Sequence, residues 1–196
     1  MYKKFIKRFL DIIFSIIALP LVLIAFIFIA PLIYFTDRGP VFYNAPRMGK
    51  NFIIFRMYKF RTMKVNAPDI RNVDGGTFNS DDDLRVTKFG KILRKTSFDE
   101  LPQVLNVLKG DMSFAGPRPI LTDNDLSKFT PEMNKRMTIR PGITGYNQAY
   151  FRNSIPRMEK YINDAYYVDH ESFLFDFKII LQTLRSVLYR KNINSK

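Results

Sequence analysis

Between Asp11 and Asp37 the chain carries no charged side chain, and Ile, Leu, Phe, Ala and Val make up most of the run. A helix rises about 1.5 Å per residue, so a segment of this length covers the roughly 30 Å hydrocarbon core of a bilayer. This feature bounds the fold. Residues 12–35 are expected to anchor the chain in a membrane. A buried helix of a soluble domain would exceed what a core of this size needs. A cleaved leader has a shorter apolar stretch followed by small residues, a pattern this run does not show.

The flanks of the run complicate a simple crossing. Lys3, Lys4, Lys7 and Arg8 precede it, and Arg38, Arg47, Lys50, Arg56, Lys59 and Arg61 follow it. Basic residues stay on the cytoplasmic side, so both ends carry the same address. Two topologies remain open to this reading. In one, the helix enters and leaves on a single face, bent at or near Pro20, whose missing N–H and ring disturb the ladder. Ser15 would then serve the freed backbone groups, and Pro31 would mark a second break near the exit. In the other, a straight crossing helix tolerates a kink. Asp11 sits at the entrance, where a carboxylate complements the positive end of the helix dipole.

A chain of 196 residues supports one core plus an anchor, expected as an anchor over 1–38 and a globular domain over 39–196. Cysteine is absent and His170 is the single histidine, which excludes disulfides, thiolate chemistry and a histidine-rich zinc site. The net charge of +13 calls for an anionic partner: phosphorylated small molecules, acidic lipid or nucleic acid. No recognisable nucleic-acid-reading element accompanies the charge, so nucleic acid is not expected.

Past the anchor the elements are short. Residues 41–43 and 51–58 read as strands around a turn at Met48-Gly49-Lys50. Residues 66–83 read as a polar loop with Gly75-Gly76 and a solvated acidic run, Asp81-Asp82-Asp83. Residues 89–108 have helical spacing, closed by a turn at Lys109-Gly110-Asp111, and Pro141-Gly142-Ile143-Thr144-Gly145 reads as a tight turn. Near the C-terminus Phe173, Leu174, Phe177, Ile180, Leu181, Leu184, Val187 and Leu188 recur three and four apart. Asp176, Lys178, Gln182 and Arg185 occupy the other face, an amphipathic helix that either closes the core or lies on the membrane.

Ser97-Phe98-Asp99-Glu100-Leu101-Pro102 is the most informative stretch. Ser97 and Glu100 have capping-box spacing, or Asp99 could cap a helix that Pro102 begins. An ionised Asp can also attack phosphorus, and an adjacent acid can bind a metal or handle a proton. Arg94 and Lys95 precede the pair, and Arg118 follows, stiffened between Pro117 and Pro119. Such guanidinium groups grip phosphate oxygens through a planar fork. Lys59-Phe60-Arg61-Thr62-Met63 adds a second cationic patch.

In this order the motifs are more specific than any one of them. Lys7-Arg8-Phe9-Leu10-Asp11, Gly39-Pro40-Val41-Phe42, Lys59-Phe60-Arg61-Thr62-Met63 and Asp83-Leu84-Arg85-Val86-Thr87 come first. Leu93 to Gln103, Asn106 to Ser113, Gly116-Pro117-Arg118-Pro119 and Pro141 to Gly145 follow. The chain closely resembles the bacterial sugar transferases, monotopic phosphoglycosyl transferases that begin lipid-linked glycan assembly. The resemblance implies a fold that is mainly α with short β elements. It further implies a re-entrant N-terminal membrane helix and a compact cytoplasmic catalytic domain with amphipathic interfacial helices, at the bacterial cytoplasmic membrane and among its lipids. It implies a UDP-sugar donor, undecaprenyl phosphate as acceptor, release of UMP and Mg²⁺ as cofactor.

By the same resemblance Asp99 matches the nucleophile that carries a phosphosugar intermediate. Glu100 matches its acidic partner, with Mg²⁺ binding assigned to the two together. Lys59, Arg61, Arg94, Arg118, Gln148 and Arg152 fall at substrate- or phosphate-binding positions. Three departures stand out: Ile24 where the family's helix-breaking Pro often lies, Ala45 at a frequent Gln position, and Phe151 in place of a usual Gly. The competing reading is a catalytically inactive membrane-bound interaction or assembly protein.

Overall fold

The computed structural model describes residues 1–72, 78, 80, 82–151 and 154–189. A single turn of π-helix, Tyr2–Ile6, leads into α1 (Lys7–Asp37), which is long and apolar enough to cross a membrane. A hairpin follows, β1 (Phe42–Met48) and β2 (Ile54–Phe60), antiparallel with Phe42 opposite Phe60 and Met48 opposite Ile54. Then come α2 (Lys88–Thr96), α3 (Gln103–Lys109), β3 (Ser113–Ala115), α4 (Pro131–Arg136), β4 (Gly142–Thr144), α5 (Tyr146–Tyr150), α6 (Arg157–His170) and α7 (Phe173–Leu188). The fold is mainly helical with two two-stranded sheets, as expected.

The helix α1 runs without interruption through Pro20 and Pro31, so neither proline ends it. Ser15 is fully buried and its hydroxyl has no hydrogen-bond partner among the described residues, so it does not serve the backbone that Pro20 frees. The helix ends instead at Arg38, which is left-handed (φ 53°) and donates its N–H to the Tyr34 carbonyl at 2.7 Å.

One face of α1 is built into the globular body along its whole length. Lys7, Asp11 and Ser15 are buried near its start, and Ile29 and Ile33 near its end. Asp11 Oδ1 accepts from the Ser113 hydroxyl and from the Phe114 N–H, both at 3.1 Å. Arg8 donates to the Val107 and Leu108 carbonyls at the C-terminal end of α3 (2.6 and 2.9 Å), where a cation also meets the helix dipole. Lys7 lies in a buried cluster with Tyr167, Asp176 and Glu171. At the other end Ile29 and Ile33 pack with Phe60 and Leu93. The opposite face of α1 is bare: Ile17, Leu21, Leu23, Phe28 and Phe35 are all exposed.

Of the two roles the sequence leaves open for the C-terminal helix, its apolar stripe does not close the core. In α7 the side chains turned inward are Asp176, Ile179 and Ser186, while Phe173, Leu174, Phe177, Leu181 and Leu184 are exposed. Each buried polar group is satisfied. Asp176 accepts from Tyr2 and Tyr167 (both 2.6 Å), Ser186 donates to the Ala149 carbonyl at 2.9 Å, and Thr183 meets Thr144. Hydrogen bonding removes the cost of burying these groups, so the apolar stripe is left outward. Tyr2 packs edge-on against Phe173, which sets this outward stripe beside the start of α1.

One turn reading and one loop reading change as well. Gly142–Thr144 is a strand, parallel to β3, because the backbones of Gly116 and Gly142 approach so closely that a Cβ on Gly142 would lie 2.2 Å from the Gly116 nitrogen. The acidic run is not uniformly solvated: Asp83 is buried and holds Arg85 at 2.7 Å. Gly75, Gly76 and Asp81 lie outside the described residues.

Asp11 is the polar contact whose loss is most direct to read. Asp11→Ala leaves the Phe114 N–H and the buried Ser113 hydroxyl without their acceptor, at a cost of about 1–3 kcal/mol. The thermal unfolding midpoint in detergent is expected to fall by roughly 3–8 °C, with a smaller loss for Asp11→Asn, which keeps an acceptor oxygen.

Candidate active site

The site forms where β2, the turn before α3 and the segment after β3 converge. Successive strand residues point to opposite faces, so Lys59 shares the face of Phe55 and Met57, both buried. A lysine on the core register needs a partner, and the Lys59 ammonium donates to Glu100 Oε1 at 2.6 Å and lies 3.8 Å from Asp99 Oδ2. The strand is held by Asn106 of α3, whose side chain accepts from the Tyr58 N–H (2.9 Å) and donates to the Arg56 carbonyl (2.8 Å).

Asp99 and Glu100 lie in one turn of 3₁₀ helix, Phe98–Glu100. Neither capping arrangement forms. Ser97 is left-handed (φ 59°) and terminates α2, and no side chain caps the start of α3 at Pro102. Both carboxylates are therefore released from local duty. Arg118 reaches Glu100 Oε1 from the other side at 3.4 Å, with its guanidinium more than half exposed. Its backbone is fixed: Arg136 donates to the Arg118 carbonyl, and Asp164 holds Arg136 at 3.1 Å.

The two neighbouring acids are driven apart electrostatically. Burial pushes the Asp99 carboxyl up to about 6, against the pull of Lys59. Burial also opposes ionisation of Glu100, but Lys59 and Arg118 outweigh it and hold that carboxyl down to about 2. Glu100 is thus fully ionised and committed to cations. Asp99 makes no hydrogen bond among the described residues and titrates close to neutrality.

The other candidates divide. Arg94 on α2 donates from Nε to the Thr62 hydroxyl at 2.9 Å; burial lowers its pKa, opposed by the fields of Asp99 and Asp83. That contact exists because α2 starts against Thr62: a Cβ on Gly90 would lie 2.0 Å from the Thr62 carbonyl oxygen. Arg61 is not with the others. Asp37 takes its guanidinium in a two-pronged pair at 2.6 and 2.7 Å, and the Pro40 and Met63 carbonyls take the remaining donors, so it clasps the end of α1. Both polar atoms of the Gln148 amide are buried without hydrogen-bond partners among the described residues, and Arg152 lies outside those residues.

Sequence reasoning missed Arg136 and Asp164, which position Arg118; 28 residues separate them and no local pattern links them. It also left Arg47 unassigned. Arg47 is desolvated, its pKa lowered first by burial and further by Arg118 and Arg71, and among the described residues it donates only to the adjacent Pro46 carbonyl. Among the described residues no group of three or more His, Cys, Asp or Glu side chains converges.

With the geometry in place, the comparisons are decisive. The family model for bacterial sugar transferases matches residues 2–190. The chain belongs to the bacterial sugar transferase family. It is 44% identical over 190 residues to a galactosyl transferase, CpsE, of Streptococcus agalactiae, covering 93% of this chain and 42% of that one. It is 40% identical to an uncharacterized sugar transferase, EpsL, of Bacillus subtilis, covering 96% and 90%. A UDP-N-acetylgalactosamine-undecaprenyl-phosphate N-acetylgalactosaminephosphotransferase of Aeromonas hydrophila is 39% identical, covering 94% and 44%. This sugar transferase therefore spans under half the length of some relatives and most of others.

The raised Asp99 carboxyl makes a stability prediction with a definite sign. Between about pH 4 and pH 6 the folded chain keeps a proton that the unfolded chain has released, so this group lowers stability as pH rises through that window. Above pH 6 the cost is on the order of 2–3 kcal/mol. Asp99→Asn is expected to unfold at a higher temperature than the native sequence above pH 6, and the advantage should vanish below about pH 4. A constant difference across pH would contradict it.

Proposed function

We propose that the chain transfers a sugar 1-phosphate from a UDP-sugar to undecaprenyl phosphate through a covalent phosphosugar on Asp99. The observation that carries this reading is the unequal treatment of two adjacent acids: Glu100 is bonded to Lys59 and Arg118, while Asp99, 3.8 Å from Lys59, makes no hydrogen bond among the described residues. An Asp99 oxygen attacks the sugar-bearing phosphorus. The bond to the bridging oxygen breaks, and UMP leaves with that oxygen. An oxygen of undecaprenyl phosphate then attacks the same phosphorus, breaking the bond to Asp99 and forming a sugar diphosphate lipid while Asp99 regains its carboxylate.

Lys59 and Arg118 compensate the charge on the transferred group, and Glu100 holds both cations in position. Uncommitted oxygens of Asp99 and Glu100 suit Mg²⁺, which takes one or two carboxylates together with phosphate oxygens. These two residues would hold it, and it would supply charge neutralisation at the phosphates. The partners named for the Aeromonas relative, a UDP-sugar and undecaprenyl-phosphate, agree with this assignment.

The same reading places the body on the cytoplasmic face with α1 entering and leaving there. Both ends of α1 are tied to one globular body, by Arg8 and Asp11 at the start and by Asp37 at the end, and both flanks are basic. The outward apolar stripe of α7 then lies in the interface as an amphipathic helix.

Purified protein with undecaprenyl phosphate, Mg²⁺ and a panel of UDP-sugars is expected to release UMP and form a lipid product. Without acceptor, intact mass should show a phosphosugar adduct that Asp99→Asn abolishes. Its rate of formation should fall as pH drops below about 6, where Asp99 takes up its proton. An adduct that survives the substitution would sink the nucleophile assignment. For topology, Lys4→Cys and Lys50→Cys should both be shielded from an impermeant thiol reagent in intact cells and both react after permeabilisation. Labelling of one alone from outside would mean a full crossing.

A further inference from the structure

Arg47 carries a charge that the described residues leave uncompensated. It is half-buried, and its one hydrogen bond among those residues goes to the neutral Pro46 carbonyl at 2.8 Å. Asp123 acts on it but is held by Arg71 at 3.6 Å, so no carboxylate pairs with Arg47. A cation withdrawn from water on such terms is costly, and an anion arriving beside it removes that cost.

The hairpin register puts Arg47 on the face that carries Lys59. Tyr43 lies opposite Lys59 and Arg47 opposite Phe55, and directly opposed residues project to one face. Four residues at about 3.4 Å each separate the two cations by about 13 Å along the strands. Arg118 stands in that interval: its guanidinium meets Glu100 at 3.4 Å, and its charge also depresses the Arg47 pKa. The segment that carries Arg118 is bonded to β1 beside Arg47, where the Met48 N–H donates to the Ile120 carbonyl at 3.0 Å. Arg71 adds to the same field. Asp69 takes its Nε and Nη2, and its buried Nη1 has no partner among the described residues.

Cationic donors thus extend beyond the two that close on Glu100. A donor with two linked phosphates needs both, because Asp99 attacks only one of them. We infer that Arg47 binds the other phosphate, the one that leaves with the nucleotide; this rests on the reading of the chain as a UDP-sugar transferase. As the Asp99 oxygen bonds to the sugar-bearing phosphorus, the bond from that phosphorus to the bridging oxygen breaks. Its electron pair stays on the bridging oxygen, so the departing nucleotide phosphate gains a negative charge. A guanidinium already fixed beside that phosphate meets the new charge with a planar fork of N–H donors and no reorganisation.

UMP and uridine differ only in the phosphate, so the ratio of their affinities isolates it. Calorimetry on the purified full chain is expected to show Arg47→Gln weakening UMP about tenfold while uridine stays within about twofold. Arg47→Lys, which keeps the charge and loses the fork, should fall between. A merely structural role would move UMP and uridine together, and an unchanged ratio in Arg47→Gln would overturn the inference. So would a KM for undecaprenyl phosphate that rises in Arg47→Gln with the ratio unchanged, since the phosphate held would then be the acceptor's. If neither variant folds, a structure of the native protein with UMP decides. Its phosphate is expected within hydrogen-bond distance of Arg47, and a phosphate placed elsewhere sinks the assignment. These readings need no turnover; a native protein that binds UMP yet releases none from any UDP-sugar would defeat the transferase reading instead.

Discussion

The seating of α1 on the globular body is the constraint on which the rest of the structure depends. The helix is about 46 Å long at 1.5 Å per residue, and one stripe of it is core. At its start the stripe is polar and buried, with Lys7 and Asp11 bonded to α7, α6 and the start of β3. At its end the stripe is apolar, with Ile29 and Ile33 against Phe60 and Leu93. Buried polar contacts of this kind fix geometry, because any other register leaves a charge or an N–H without a partner in a poorly solvated place. The apolar end brings β2 and α2 together, and these two elements carry Lys59 and Arg94.

That seating ties the strand that carries Lys59 to a helix long and apolar enough to cross a membrane. The cluster that docks the exit of α1 is continuous in the chain with Lys59 and Glu100. The electrostatics of the site follow from the same burial. Two carboxylates one residue apart cannot both be cheaply ionised when desolvated, and the cations approach one of them more closely than the other. The result is an ionised Glu100 beside an Asp99 whose carboxyl is pushed up to about 6.

Much of this was legible in the chain before any coordinates. The hairpin turn at Gly49, the stop at Gly110 and the C-terminal helix all stand where local residue types put them. Two local readings are overturned. Ser97 looks like a helix start because of its spacing to Glu100, yet it ends α2. The five residues from Pro141 look like a turn because of their glycines, yet three of them pair with β3. In α7 the sequence leaves open whether the apolar stripe closes the core or lies on the membrane, and it faces outward, because Tyr2, Tyr167, Ala149 and Thr144 supply hydrogen bonds to polar residues that hydropathy alone would place in solvent.

The sequence by itself determined that the chain has a helix long and apolar enough to cross a membrane and a pair of adjacent acids among cations. An uncharged run and a dipeptide are properties of the chain, and no folding is needed to see them. Only the tertiary structure decided which cations meet those acids. Lys59 and Arg61 stand two residues apart in one motif, but Lys59 continues the buried face of β2 and reaches Glu100, whereas Asp37 captures Arg61 at the exit of α1. Packing makes that choice, since a charge takes the partner that the fold places within reach.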